Sequence, residues 1–219
     1  MTIRHKMHAT VLSVALALGC AALPDTVSAA PVATSAPSFD VGTDALAGYA
    51  NSALVQWTTY SQTGNPKALA AFDETRNAIA AEVANRLGLD PVAMQTAWSK
   101  ADLEHQTAVM AAFTQLGVRY KRFTAEPGVG FDCSGLTSWA WGQAGVSIAR
   151  QSRSQINNAV ALTRDTAQAG DLVYYPGHVM MYLGIDSAII HSPFTGRNVE
   201  LSFISGRRVN SARFGDPTG

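Results

Sequence analysis

The stretch GVGFDCSGLTSWAWGQAG, Gly128 to Gly145, decides the fold reading. A glycine-rich loop runs into a helix, with Leu136, Trp139, Ala140 and Ala144 on one side and Gly145 as its stop. Cys133 sits at the junction. A thiol attacks carbonyl carbon as thiolate, and the unpaired N–H groups of a first helical turn stabilise that charge. The same N–H groups would hold an oxyanion formed at the attacked carbonyl. The alternative is a structural cysteine whose apolar surroundings raise its pKa and silence it. Asp132 and Ser134 flank the thiol, and Gly130 and Gly135 keep its surroundings small.

Downstream of Gly170 the texture is that of short strands: DLVYY, HVMMYL, SAIIH, NVELSFI and RRVNSARF. Turn residues separate them, at Pro176–Gly177, Gly184, Pro193 to Gly196 and Gly206. Helix followed by a strand meander predicts an α+β fold with an antiparallel sheet. Two histidines bound strands of one expected hairpin. With a two-residue turn centred between Gly184 and Ile185, His178 faces His191 and shares its side of the sheet. A three-residue loop would break that pairing. The pair reads in three ways: base and orienter for Cys133, metal ligands, or unrelated residues. No carboxylate or second cysteine stands at a convincing ligand spacing, so no metal is expected, and no cofactor. GVGFDC begins like a dinucleotide fingerprint, but the strand–helix–acid context is missing. His105, in DLEHQ, reads as a solvated mid-helix residue. Trp139 reads as helix core, and Trp141 stays open between core and sugar stacking.

Upstream, three helices are expected: Asp44 to about Gln62, the stripe Leu69, Phe72, Ile79, Val83, Leu87, and a third from Asp90–Pro91 to about Leu116. Asn65–Pro66 and Asp90–Pro91 are cap-and-proline starts. Residues 44–116 thus form a small helical region, and 117–219 the candidate catalytic domain. Residues 30–43, rich in Ala, Pro and Ser, read as a linker. Residues 1–29 read as a secretory signal peptide: Arg4, His5, Lys6 and His8 precede an apolar run and a small-residue cleavage signal. Cys20 is then discarded with the signal; the competing reading, from LALGC, is a lipidated N-terminus. No later stretch is long and apolar enough to span a bilayer, so no stable membrane insertion is expected once the signal is removed. Location in the periplasm or cell wall follows. Sixteen basic and sixteen acidic side chains balance (16 and 16), so no field invites nucleic acid. Cys133 would be left unpaired in an oxidising compartment, as a reactive thiol or an intermolecular bond.

Over Gly117 to Phe214 the chain resembles the NlpC/P60 family of cysteine peptidases. The resemblance is carried by FDCSGL (131–136), ARQSRSQ (149–155), AGDLVYYPGHVMMYLG (169–184) and AIIHS (188–192). It implies a papain-like α+β core, with the helix that bears the nucleophile packed on an antiparallel sheet. It implies Cys133 as nucleophile, His178 as base and His191 as the orienting residue. It also implies cleavage of bacterial cell-wall peptides, typically between D-glutamate and a diamino acid. Tyr120 matches a tyrosine placed beside the nucleophile; a packed loop aromatic is the other reading. Asp132 and Ser134 are expected at the substrate or the oxyanion. Lys121, Arg122 and Phe123 stand where the family often has Trp-Gly-Gly, and Ala169 replaces a usual proline. Lys121, Arg122, Arg150 and Arg153 either meet stem-peptide carboxylates or form solvated basic loops.

The expected function is an exported endopeptidase that hydrolyses peptidoglycan stem peptides through a Cys–His–His triad and a thioester. Its partner is the peptidoglycan peptide, and the sequence identifies no protein partner. Two other readings keep the fold: an amidase or acyltransferase using the same residues, and a non-catalytic wall-binding protein.

Overall fold

Asp44, Asn65 and Asp90 each cap a helix by accepting hydrogen bonds from first-turn N–H groups. They open α1 (Ala45–Thr63), α2 (Pro66–Leu87) and α3 (Pro91–Lys100) in a computed structural model that describes residues 39–219. The expected signal peptide, Cys20 and residues 30–38 of the expected linker lie outside the described residues. Residues 39–43 of that linker are tied down: Gly42 N–H donates to Thr114 O at 2.6 Å, and Gln115 Nε2 donates to Asp40 O at 3.1 Å.

The expected third helix is two. α3 stops at Lys100, and α4 runs from Leu103 to Thr114. Ala101 is extended (φ −64°, ψ 152°) and Asp102 restarts the spiral. This break resets the helical phase and turns His105 inward, where it is fully buried. A continuous helix would have left it among solvated neighbours, which is why the surface reading fails. α4 is buried on all sides from His105 to Thr114.

The segment after α4 forms a small two-stranded sheet, β1 (Ala125–Glu126) and β2 (Gly130–Phe131), that leads into α5 (Cys133–Gln143) and α6 (Ser152–Asn158). Then come β3 (Val160–Leu162), β4 (Leu172–Tyr175), β5 (His178–Tyr182), β6 (Ala188–His191), β7 (Glu200–Phe203) and β8 (Arg213–Asp216). All neighbours in the main sheet are antiparallel, in the order β3-β8-β4-β5-β6-β7. The meander therefore holds from β4 to β7 and no further. β8 crosses back and inserts between β3 and β4, and the expected strand RRVNSARF is mostly turn before Arg213.

The β5–β6 register also differs from expectation. Met181 pairs with Ile190 and Tyr182 with Ile189. Gly184, Ile185, Asp186 and Ser187 span the turn, closed by Leu183 N–H to Ala188 O at 3.0 Å. Gly184 has φ +79°, a conformation glycine adopts without strain. The loop is two residues longer than the two-residue turn, so the parity of facing survives. Extending the register puts Met180 opposite His191 and His178 one diagonal step away on the same face.

One hydrophobic core joins the helices to the sheet. Phe72, Trp98, Met110 and Phe113 from α2 to α4 share it with Leu136 and Trp141 of α5 and Leu172, Met181 and Ile190 of the sheet. Trp98 Nε1 donates to Leu183 O at 3.0 Å, which satisfies a polar tip inside that core. Met180, Tyr182, Ile189 and Phe214 pack on the sheet's other face. Trp141 is buried in the core like Trp98, and Trp139 is partly buried against it, edge-on to Phe39 at 5.1 Å. Among the described residues, no helix is long and apolar enough to cross a membrane.

Candidate active site

Asp132 begins α5. Its Oδ1 accepts from Gly135 N–H at 2.7 Å, which places Cys133 in the first turn. Gly135 allows the close fit, since a Cβ there would stand 2.2 Å from Thr124 O. The backbone N–H groups of Cys133 and Ser134 point at the sulfur, and so does that of Val179, the residue after His178. These donors favour thiolate. Burial opposes them more strongly and pushes the thiol up, with the Asp132 charge adding to the rise. Burial thus outweighs the donors of the helix end and favours the neutral thiol.

His178 and His191 meet, with His178 Nε2 2.9 Å from His191 Nδ1. Burial lowers His178 to about 3, helped by the charges of His191 and Arg208. Burial likewise lowers His191 to about 4, with Arg197 adding to it. Both rings are neutral near pH 7, so one proton lies between them. If His178 is to accept from a thiol, its Nδ1 must be bare and its Nε2 must donate to His191 Nδ1. His191 then carries its proton on Nε2, which has no hydrogen bond and faces Glu200 Oε1 at 3.6 Å. Glu200 is opposite His191 in the β6–β7 register and is held by Arg197 at 2.5 Å. The sequence reading missed both. An acid in NVELSFI was the available signal, but only the register shows which residue it faces.

The other expected residues surround the sulfur in different ways. Burial pushes the phenols of Tyr120 and Tyr175 up, and a thiolate at Cys133 would raise both further. Tyr175 packs 5.4 Å, centroid to centroid, from His178. Asp132 and Ser134 are engaged by Arg150, which spans both carboxylate oxygens at 2.8 Å and reaches Ser134 Oγ at 2.9 Å. A cavity of about 480 Å³ opens beside them, lined by Phe123, Asp132, Ser134, Arg150 and Arg153 among others. Gln155 clamps the same turn from α6: it accepts from Thr137 Oγ1 at 2.7 Å and donates to Ser134 O at 2.9 Å. Ser192 Oγ donates to Phe131 O at 2.7 Å and ties the end of β6 to the strand before Cys133.

A second polar cluster is apart from these residues. His105 Nε2 lies 3.0 Å from Asp171 Oδ1 and 3.5 Å from Asp216 Oδ1. His105 Nδ1 is buried without a partner, whereas an imidazole bound to metal normally has its second N–H held. The cluster fits better as a hydrogen-bonded pin that joins α4 to β4 and β8.

Residues 117–215 match the model of the NlpC/P60 family. A Bacillus cereus protein, gamma-D-glutamyl-L-lysine dipeptidyl-peptidase, is 40% identical over 82 residues, covering 34% of this chain and 24% of that protein. A probable endopeptidase of Corynebacterium glutamicum is 38% identical over 116 residues, covering 52% of this chain and 54% of that protein. The chain thus spans about half or less of the curated relatives it matches. A crystal structure of a Bacillus cereus NlpC/P60 family protein is similar, with TM-score 0.47 and 30% identity, over 51% of this chain and 39% of that one.

Proposed function

The chain carries an NlpC/P60 family domain over residues 117–215, and on that premise we propose that it is an exported cysteine endopeptidase acting on peptidoglycan stem peptides. The bond we infer is the one between D-glutamate and a diamino acid. The contact between His178 Nε2 and His191 Nδ1, beside a sulfur that three backbone N–H groups face, carries the reading.

Cys133 Sγ attacks the glutamyl carbonyl carbon as its proton passes to His178 Nδ1. The neutral imidazole is free to accept, and attack and proton transfer are concerted because burial disfavours a separate thiolate–imidazolium pair. The imidazolium that forms is balanced through His191 by the Glu200 carboxylate, in the manner of a generalised triad. The carbonyl oxygen becomes an oxyanion, and the N–H groups at the start of α5 stabilise it. The C–N bond then breaks, His178 gives its proton to the leaving amine, and a thioester remains. Water attacks the thioester, passes a proton to His178, and displaces the sulfur, which recovers that proton. The cavity beside Arg150 and Arg153 suits an acidic acyl-side peptide.

The relatives named as peptidases support hydrolysis over transfer. Digestion of purified peptidoglycan, with products identified by mass spectrometry, tests the reading. Wild-type protein is expected to release fragments ending in D-glutamate, and Cys133→Ala to release none while still binding the peptide. Undiminished cleavage by Cys133→Ala would refute the assignment.

A further inference from the structure

We propose that Arg197 is a positioning residue for the base: by clasping Glu200 it keeps His191 neutral, so that His191 accepts a hydrogen bond from His178 and leaves His178 Nδ1 bare. This deepens the peptidase reading above and rests on it. What Arg197 regulates is the lower pH limit of activity.

One hydrogen bond joins the two rings, between His178 Nε2 and His191 Nδ1 at 2.9 Å. Its direction decides whether His178 is a base. A neutral His191 with its proton on Nε2 accepts at Nδ1, and His178 Nδ1 stays free. A His191 imidazolium carries protons on both nitrogens and donates from Nδ1. His178 must then accept at Nε2 and hold its own proton on Nδ1, where it blocks uptake from the thiol. The orienting ring therefore has to resist protonation, and a carboxylate beside it works against that.

Glu200 is that carboxylate. It sits opposite His191 in the β6–β7 register, with Oε1 3.6 Å from His191 Nε2, beyond hydrogen-bond reach. Arg197 occupies it instead. Its Nη2 donates to Oε1 at 2.5 Å and to Oε2 at 2.7 Å, and its Nε donates to Oε2 at 3.0 Å. The arginine is itself held. Arg197 O accepts from Tyr120 N–H at 2.8 Å, Arg197 N–H donates to Phe194 O at 3.1 Å, and the guanidinium lies 5.7 Å from the centroid of the Phe194 ring. With Glu200 clasped in this way, His191 Nε2 is buried without a hydrogen bond. The Arg197 charge also lowers His191, second to burial. The other titratable and charged groups about the two rings are Asp132 and Cys133 at the head of α5, Tyr175 on β4, and Arg208, whose charge reaches His178.

The acid limb of kcat/KM on a γ-D-glutamyl diamino-acid peptide tests this. Arg197→Gln frees Glu200 and removes a cation, and both changes favour the imidazolium. Its limb should therefore stand about 1–2 pH units above that of wild type. Adding Glu200→Gln to Arg197→Gln should bring the limb back toward the wild-type position, a rescue that lost packing does not produce. Arg197→Lys should hold the limb near that of wild type. Melting curves report whether each variant is folded at the assay temperature. Arg197→Met, which keeps an apolar stem beside Phe194, replaces Arg197→Gln if that variant is not. A limb unmoved by the loss of Arg197, or one that stays raised in the double variant, would overturn the inference. If wild-type protein cuts no such peptide, the peptidase reading is what fails. Nitrogen NMR of the imidazoles in the full chain then decides. His191 should take its second proton about 1–2 pH units higher in Arg197→Gln than in wild type, and equal values would overturn the inference.

Discussion

Burial displaces Cys133 and His178 in opposite directions: it raises the thiol and lowers the imidazole, which favours the neutral form of each. A pH dependence follows. Protonating His178 removes the base, and its lowered value, about 3, keeps the ring neutral as pH falls through the usual histidine range. The acid limb of kcat/KM is therefore expected below pH 5, and a limb centred near pH 6.5 would contradict it. The same proton is bound more readily by the unfolded chain, so stability also falls as pH drops below about 6.5. Melting temperatures over the same range separate the two losses. The sequence brought Cys133, His178 and His191 forward as candidates because each sits where a loop meets a regular element, and the structure places the two imidazoles in contact. It did not bring Glu200 forward, because the place of that residue opposite His191 depends on a strand register that leaves no local pattern. His105 misled for a related reason: its neighbours are polar, and only the break at Ala101–Asp102 turns it inward.

Helix α5 is held in place by contacts from other elements. Asp132 caps it, Ser192 ties the strand before it to β6, and Gln155 of α6 spans two of its groups from a fully buried position. Gln155→Ala removes the acceptor that the Thr137 hydroxyl meets at 2.7 Å and the amide donor to Ser134 O and Ala149 O, and a buried group left short of its partner costs about 1–3 kcal/mol. The expected outcome is a lower midpoint in urea with an unchanged slope, together with reduced kcat as the turn that carries Cys133 loosens. An unchanged midpoint would show that water replaces the amide. The strands from β4 to β7 were legible from alternation and turn residues. The β5–β6 register was not, because a turn of two or of four residues satisfies the same facing pattern. The return of β8 between β3 and β4 is set by long-range pairing, which no window of residues encodes.

The described residues are organised around one core that crosses the boundary near Gly117. Trp98 reaches Leu183, His105 reaches Asp171, and α4 lies against α5. A chain beginning at Gly117 is expected to be insoluble or to lack a cooperative melting transition, because it would bare the apolar surface those helices cover. A soluble chain with wild-type rates would show that the helices are dispensable. The texture of the sequence suggested two neighbouring parts, since helices precede strands; it held no sign that the parts share one interior. The consequence reaches past this protein's own stability. Helices packed into a shared interior would have to break that interior to swing away as a door over Cys133. Nor could residues 117–219 be transplanted to a new host by recombination at Gly117 alone: the donor would have to surrender its helices with them.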